Sequence, residues 1–412
     1  MERFPSRRTY LIILFLLAFV LRFGMLLALR DIHRFHGAHT AGADAVEFNA
    51  IALNLAAGRG YAITPGLPTS FRAPGFPLFL AALYRISYQN YELGYLALVM
   101  LGALTSLVTY AAAREILTEN WARIAGLLAA VYPPHIYFST IFLSEALFAF
   151  CVGLGLWLVL VFLRKRSMWL LPVAGLCLGY AALTRPIGLL IPIFLAPALI
   201  RRASPDWRRA AGWMLLFALG TAAIVLPWTL RNRAVHHHWV LMTTNGGSTF
   251  YGANNDITLH GRHFLGSWIA TNYLPGRKAI DATPDEYSHD RLEWKLGEDW
   301  VAAHPFDLPL LVCYKISRFW LPDWSSPNSK AVLMQMVGYT PIGILILLGL
   351  AASWRRTMPA WLAVHGVLAA TLFSTVIFYG SARFRDAIAP ALMIYAAYGL
   401  ERAVGMARGK KK

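Results

Sequence analysis

The recurrence of apolar runs about twenty residues long constrains this chain more than any other feature, as in LIILFLLAFVLRFGMLLALR at 11–30. A helix of about 20 apolar residues crosses the hydrocarbon core of a bilayer. Charged residues make up only 14% of the chain, whereas an average soluble protein has about 25%. The sequence therefore predicts an all-α polytopic membrane protein, organised as one domain over residues 1–412.

We predict ten membrane spans, with both termini on the cytoplasmic side. On this assignment the inner segments, such as RKRS and SWRRT, hold 19 of the 38 basic residues but only 5 of the 21 acidic ones. Lys and Arg concentrate in cytoplasmic loops, so the net charge of +17 is mainly an orientation signal, and no nucleic-acid partner is expected. The first run is interpreted as a retained anchor, because it exceeds a signal-peptide core and further spans follow. The predicted spans are 10–29, 93–112, 123–135, 141–163, 169–183, 187–200, 211–230, 332–351, 359–379 and 386–403.

Two segments between the predicted spans are too long to be turns, and both fall on the outer side. They are a first outer loop at 30–90 and a second outer loop at 231–331. Long ordered connections in compact proteins are usually functional, so we expect the site on the outer face. In the first loop RAPGFPLFLAALYRI, at 72–86, is too short to span easily and predicts a re-entrant or interfacial helix.

Asp44 lies in the first outer loop, in the stretch GADAVEFNAIALNLAAGRGY. The apolar spacing after it predicts a helix that ends at Gly58. In one interpretation Asp44 is the N-cap, and Glu47 completes a capping box. In the other, Asp44 is a general base that accepts a proton from an acceptor hydroxyl. The spacing alone leaves both interpretations open.

The second outer loop has its own helix signal. Thr283, Pro284 and Glu286 fit a capping box with proline in the first turn, and we expect this helix to lie on the membrane surface. Upstream is a turn-rich stretch, TNGGSTFYGANND, which contains Asn245. Together with Tyr61 and Glu47, Asn245 is a candidate for contacts with a sugar.

Arginines recur at the predicted outer helix ends, against the positive-inside trend. One at a time, they are explained by snorkelling to headgroups or by pairing with an acid such as Asp386. Several near one face indicate an anionic ligand, because guanidinium groups bind phosphate with two-point geometry. The candidates are Arg72, Arg185, Arg231, Arg383 and Arg385.

Glu145 lies near the outer end of a predicted span, in FLSEALFAF. An ionisable group in a membrane segment is costly and usually functional. Binding of a sugar hydroxyl, pairing with an arginine and metal ligation are all compatible with its position. The alternative is a carboxylate at the interface that faces water.

The histidines and cysteines give weaker signals for a metal. His33, His36 and His39 follow one another at three-residue steps, but no His-Glu-x-x-His pattern occurs. The three cysteines are isolated in or near apolar segments, which indicates neither a disulfide framework nor a zinc site. No cofactor is predicted, and a divalent metal stays open.

In order and spacing, these motifs resemble the GT-C superfamily of integral-membrane glycosyltransferases. The resemblance is strongest to bacterial members of the protein-mannosyltransferase-like branch, which includes the lipid A aminoarabinose transferases. It covers most of the chain, including FRAPGFPLFLAALYRI, LGYAALTRPIGLLIP and ARFRDAIAPALMIYAAYGL. The resemblance implies a polyprenyl-phosphate sugar donor and inverting transfer to a hydroxyl outside the cytoplasm, at the inner (plasma) membrane of a bacterium.

The resemblance also implies roles for individual residues. It places the first-loop catalytic acid on Asp44 and the phosphate-binding positions on Arg185, Arg231, Arg383 and Arg385. The protein mannosyltransferases carry an adjacent Asp-Glu pair, whereas Asp44 is followed by Ala45, which argues against protein O-mannosylation. A glycolipid, a polysaccharide and a protein remain as acceptors.

Two functions of other classes compete with a glycosyltransferase. A transporter or flippase for a lipid or lipid-linked sugar would place charges near the bilayer midplane and repeat its halves. A non-catalytic assembly subunit would not require Asp44 and the arginines together. Because the charges cluster at outer helix ends and no repeat is evident, we expect a glycosyltransferase of the cell envelope.

Overall fold

The computed structural model describes residues 5–29, 42–87, 90–322 and 329–409, and the regular structure in these ranges is helical. Their only β pairing is an isolated bridge between Ala62 and Pro68. The predicted all-α fold is therefore confirmed. The α-helices are α1 (Arg7–Ala28), α2 (Ala43–Ala56), α3 (Gly75–Ser87), α4 (Tyr91–Ala113), α5 (Glu119–Val131), α6 (Pro133–Phe138), α7 (Glu145–Lys165), α8 (Leu170–Thr184), α9 (Leu190–Ala203), α10 (Trp207–His236), α11 (Gly246–Ala253), α12 (Asp256–His260), α13 (Arg277–Asp281), α14 (Glu286–Ala303), α15 (Leu308–Trp320), α16 (Ser329–Ser353), α17 (Pro359–Ile377), α18 (Ala382–Asp386) and α19 (Ala389–Gly409).

Each of the ten predicted spans falls on a helix. Three of them, 123–135, 169–183 and 386–403, correspond to α5, α8 and α19, which are not among the helices with the length and hydropathy of a membrane span. Helix α5 is only 13 residues long and ends just before Pro133. Helix α8 is only 15 residues long and ends just before Arg185 and Pro186. Within the described ranges, seven helical segments have the length and hydropathy to cross a membrane: Arg7–Ala28, Tyr91–Ala113, Glu145–Lys165, Pro186–Ala203, Trp207–His236, Met336–Ser353 and Pro359–Ile377.

Helices α8 and α10 pack with their backbones in close contact at glycines. A Cβ added at Gly220 would overlap the carbonyl oxygen of Pro172, and one at Gly179 would lie 2.9 Å from Thr221 O. Small residues let membrane helices approach this closely. The contact places the C-terminal ends of both helices, near Arg185 and Arg231, at the same end of the bundle.

Replacing Gly220 with Ala should destabilise the protein by roughly 1–3 kcal/mol, because the new methyl group overpacks this contact. Gly212→Ala on the same helix is the matched control, since nothing lies within 4 Å of its added Cβ. There the higher helix propensity of Ala should leave stability unchanged or slightly raised. Thermal unfolding in detergent measures the difference, and equal midpoints for the two variants would contradict the packing account.

The start of α2 differs from the predicted capping box. Its N-cap is Gly42, which has φ +81° and makes no side-chain cap hydrogen bond. Glycine adopts such a positive φ without the penalty that a Cβ imposes, so the chain enters the helix two residues earlier than predicted. Asp44 lies within the first turn, and its interpretation as an N-cap is wrong. The end of α2 agrees with the prediction, since Gly58 follows two residues after Ala56 with φ +74°.

The start of α14 also differs from its predicted capping box. The N-cap is Asp285, whose side chain accepts a hydrogen bond from Ser288 N at 2.8 Å. The predicted cap at Thr283 is therefore wrong. A carboxylate is a strong N-cap acceptor, and Asp285 leaves Glu286 in the first turn to make other contacts.

In the second outer loop, α11 packs against α14 around a buried carboxylate. The backbone N–H of Gly247 donates to Asp290 Oδ1 at 2.6 Å. A Cβ at Gly247 would overlap the carbonyl oxygen of Asp290, so the two helices are in backbone contact. Burial raises the pKa of Asp290 from 3.8 to about 6.

This raised pKa gives stability a pH dependence of defined sign. Between pH 3.8 and about 6 the folded state binds more protons at Asp290 than the unfolded state does. The free energy of unfolding should therefore fall as the pH rises through this window and stay lower above it. Asp290→Asn should remove that slope and raise stability at pH 7 by up to roughly 3 kcal/mol. Denaturant unfolding of both proteins over pH 4–7.5 measures the difference, and an unchanged slope in the variant would contradict it.

Candidate functional site

Six charged side chains meet at one end of the helical bundle, three carboxylates and three guanidinium groups. They come from segments far apart in the chain, since Arg383 and Glu145 are 238 residues apart in sequence. The formal charges of the group balance. We call this group the charge cluster, and it consists of Asp44 and Glu47 on α2, Arg72 before α3, Glu145 at the start of α7, Arg185 after α8 and Arg383 on α18.

The Asp44 carboxylate lies between two arginines. Its Oδ1 is 2.9 Å from Arg72 Nη2, and its Oδ2 accepts from Nη1 and Nη2 of Arg383 at 3.3 Å each. Arg72 also donates through Nε to Glu47 Oε2 at 2.5 Å. The Asp44 side chain is 32% exposed. It is therefore both paired and accessible from outside the protein.

Glu145 holds the other side of the charge cluster. Its Oε1 accepts from Arg383 Nε at 2.6 Å and lies 2.8 Å from Arg185 Nη1. The side chain is only 1% exposed, and in the described part of the chain its Oε2 has no hydrogen-bond partner. Burial by itself lowers the pKa of Arg383, whereas the nearby carboxylates of Glu145 and Asp44 raise it. The carboxylates have the larger effect, so the pKa of Arg383 lies above its ordinary value. Arg383 thus joins a buried carboxylate to an accessible one.

A close contact between α3 and α8 brings two of the arginines to this end. A Cβ at Gly75, the first residue of α3, would lie 2.7 Å from Thr184 N at the end of α8. Tyr180 on α8 donates through its hydroxyl to Gly75 O at 2.9 Å. The predicted short helix at 72–86 is confirmed as α3. Its docking on α8 brings the segments that carry Arg72 and Arg185 together.

Arg231 lies outside the charge cluster. Its Nη1 donates to Thr69 O at 2.7 Å and to Ser70 Oγ at 2.8 Å. Its guanidinium carbon is 4.8 Å from the ring centroid of Trp228 and 5.4 Å from that of Tyr61. Among the described residues its hydrogen bonds go to Tyr61, Thr69, Ser70 and Asn232, none of which belongs to the charge cluster. Its role in binding a donor phosphate stays a prediction.

Arg385 is fully buried on the other side of α18. Its Nε donates to Asp386 Oδ1 at 2.9 Å and its Nη1 to Phe319 O at 3.2 Å. Its guanidinium carbon is 3.4 Å from the ring centroid of Tyr339. Arg385 thus makes the ion pair with Asp386 that the sequence offers as an alternative to phosphate binding. Its role in phosphate binding also stays a prediction.

Tyr61 and Asn245 are the predicted sugar contacts outside the charge cluster, and their hydrogen bonds among the described residues go to groups other than Asp44. Tyr61 is buried, and its hydroxyl donates to Arg72 O at 2.7 Å. Asn245 precedes α11 and accepts from Thr243 Oγ1 at 2.8 Å. Sugar binding by either residue stays a prediction. Tyr61 supports the backbone of a residue of the charge cluster.

Sequence reasoning missed a buried arginine inside the bundle. Arg22 on α1 is 0% exposed, and its Nη1 donates to Ala18 O and Ala130 O at 3.0 Å each. Its Nη2 is 3.0 Å from His135 Nδ1. The available signal was a charged residue within a predicted span. Arg22 holds α1 against the end of α5.

No group of three or more His, Cys, Asp or Glu side chains in the described ranges could hold a metal ion. Asp44, Glu47 and Glu145 are each engaged by arginine instead. The histidines His33, His36 and His39 lie outside the described residues.

Comparisons with known proteins fit this architecture. A family model described as dolichyl-phosphate-mannose-protein mannosyltransferase matches residues 71–230. No curated protein sequence matches the chain. The apo structure of the Archaeoglobus fulgidus oligosaccharyltransferase is similar at 15% identity and TM-score 0.55, covering 98% of this chain and 52% of that one.

Two further solved structures are similar. The first is oligosaccharyltransferase AglB of Archaeoglobus fulgidus with an inhibitory peptide and a dolichol-phosphate, at 14% identity and TM-score 0.55, covering 98% of this chain and 51% of that one. The second is ArnT from Cupriavidus metallidurans bound to undecaprenyl phosphate, at 15% identity and TM-score 0.41, covering 88% and 74%.

The fold is that of the archaeal oligosaccharyltransferase structures, and it confirms the GT-C-like fold expected from the sequence. The part of the chain that carries the mannosyltransferase match includes Arg72, Glu145 and Arg185. The chain spans about half the length of the archaeal oligosaccharyltransferase chains it matches.

Proposed function

We propose that this protein transfers a sugar from a polyprenyl-phosphate-linked donor to an acceptor hydroxyl on the outer face of the membrane. The observation that carries the proposal is the position of Asp44, accessible and paired with Arg72 and Arg383 at one end of a GT-C fold. Transfer from a sugar phosphate requires a base for the acceptor and positive charge for the leaving phosphate. The charge cluster offers both side by side.

The chemistry is a single displacement. Asp44 accepts the proton of the acceptor hydroxyl while the hydroxyl oxygen forms a bond to C1 of the sugar. The bond between C1 and the phosphate oxygen breaks, and its electron pair leaves with the polyprenyl phosphate. Attack opposite the leaving group inverts the anomeric centre. The guanidinium groups stabilise the charge that develops on the phosphate.

Arg383 is the arginine best placed to change partners during this reaction. Its contacts with Asp44 are 3.3 Å long, whereas its contact with Glu145 is 2.6 Å. A donor phosphate that binds Nη1 and Nη2 of Arg383 would therefore replace the weaker contacts and leave Glu145 in place. The exchange would free Asp44 Oδ2 to accept the proton of the acceptor hydroxyl.

A lipid-borne phosphate also suits the position of the charge cluster. Glu145 begins α7, a helix long and apolar enough to cross a bilayer, and the end of such a helix would lie at the level of the lipid headgroups. The similar protein AglB has been solved with a dolichol-phosphate. The basic bias of the short loops supports an inner membrane protein with cytoplasmic termini and an external site. The acceptor classes are a glycolipid, a polysaccharide or a protein hydroxyl.

Mass spectrometry of envelope glycans and glycolipids tests this proposal in cells with and without the protein. Loss of the protein should remove one sugar from one class of acceptor. Wild type should restore it, and Asp44→Asn should not. Restoration by Asp44→Asn would contradict the role of Asp44. Accumulation of an unflipped lipid-linked sugar in the inner leaflet would favour a flippase.

A further inference from the structure

The two outer loops are joined by a second polar cluster, which is separate from the charge cluster. We infer that Glu286, on the second outer loop, is a positioning residue that fixes Arg72 on the first. The inference rests on the proposed function in so far as Arg72 takes part in transfer. In this inference the second outer loop positions a residue that pairs with Asp44.

Glu286 accepts hydrogen bonds from both outer loops. Its Oε1 accepts from Ser70 N at 2.8 Å, and its Oε2 accepts from Thr69 Oγ1 at 2.7 Å. The Thr244 hydroxyl also donates to Oε1. The three donor residues are buried, so the carboxylate replaces water for each of them. A buried donor that loses such a partner pays its full desolvation cost.

Arg231 holds the opposite side of the same backbone segment. It donates to Thr69 O and Ser70 Oγ, and its Nη2 lies 3.3 Å from Tyr61 O. The Thr244 backbone N–H donates to Ser70 O at 3.1 Å. Donors and acceptors of residues 69 and 70 are thus fixed from two directions. We call this arrangement the loop clasp.

The loop clasp lies two residues before Arg72. The Arg72 carbonyl oxygen is itself held by the Tyr61 hydroxyl at 2.7 Å. With its backbone fixed on both sides, Arg72 can place its guanidinium 2.9 Å from Asp44 and 2.5 Å from Glu47. Misplacement of a catalytic group by about 1 Å can cost on the order of a hundredfold in rate. The loop clasp therefore controls the geometry around the proposed base.

Hydrogen exchange tests the loop clasp independently of any activity. Glu286→Gln keeps the side-chain size but replaces one accepting oxygen with an NH₂ group. We expect amide exchange at Ser70 to accelerate about tenfold or more, because its acceptor is no longer charged and three donors compete for the one remaining oxygen. Asp285→Asn is the matched control, since Asp285 caps the same helix through hydrogen bonds from Ser288 N and Ser288 Oγ. Unchanged protection in Glu286→Gln, or equal acceleration in Asp285→Asn, would overturn the loop clasp.

A double-mutant cycle tests whether Glu286 acts through Arg72. In the transfer assay Glu286→Gln alone should lower kcat/KM about tenfold. When Arg72 is already replaced by Gln, adding Glu286→Gln should lower kcat/KM by less than about twofold. A full additional loss in that background would overturn the positioning role. If wild type transfers no sugar from any polyprenyl-phosphate donor, the proposed function and the role of Arg72 in transfer fail. The exchange result then still decides the loop clasp by itself.

Discussion

Asp44→Asn should lower the rate of sugar transfer about 10²–10⁴-fold, the range that a general base contributes. Asn has the same size and keeps one oxygen to accept from Arg72 or Arg383, so the fold should persist. It cannot take up the proton of the acceptor hydroxyl. Initial rates of the purified protein, with a polyprenyl-phosphate sugar and a glycan or lipid acceptor, measure the loss.

The Arg277–Asp281 pair supplies the control for this substitution. The two side chains lie on α13, are each 48% exposed and pair at 2.5 Å. Asp281→Asn removes one carboxylate that does not belong to the charge cluster, and the rate should stay within about twofold, because an exposed ion pair is worth little. Similar rates for Asp44→Asn and Asp281→Asn would remove Asp44 as the base.

Arg383→Gln should lower kcat/KM about 10²–10³-fold, because the group proposed to stabilise the leaving phosphate is lost. Asp44 and Glu145 also lose the guanidinium that they share, and the buried Glu145 keeps only Arg185. The thermal midpoint should therefore fall as well. Rates at several donor concentrations, together with thermal unfolding in detergent, separate the two effects.

Two variants make the result for Arg383 specific. Arg277→Gln removes an exposed arginine and should change neither the rate nor the midpoint beyond experimental error. Arg383→Lys keeps the charge but loses the planar two-point contact, so its rate should lie between wild type and Arg383→Gln. If Arg383→Gln lowered the thermal midpoint and left kcat/KM intact, Arg383 would have only a structural role.

Much of the fold was predictable from the sequence, because apolar run length translates directly into helices in a membrane protein. Exact helix starts were less predictable. Gly42 begins α2 through its positive φ, and Asp285 takes the cap position that was assigned to Thr283. Asp, Thr and Gly are all acceptable N-cap residues, so the local sequence near each of these starts did not single out one cap.

The charge cluster was partly predictable, since charged groups at apolar helix ends require a physical reason. The sequence does not show which of these charged groups form ion pairs with one another. Arg383 and Arg385 are two residues apart, yet Arg383 reaches Asp44, whereas Asp386 and Tyr339 hold Arg385 inside the bundle. Contacts between such distant segments depend on helix packing, which local patterns do not record.

Reconstituted vesicles give the most direct test of the central claim. Vesicles that contain the wild-type protein are supplied with a polyprenyl-phosphate sugar and with an acceptor outside the vesicles. NMR then determines the anomeric configuration of the product. We expect transfer with inversion by wild type and almost none by Asp44→Asn. Transfer with retained configuration, or movement of the intact donor across the bilayer with no glycosylated product, would contradict the account.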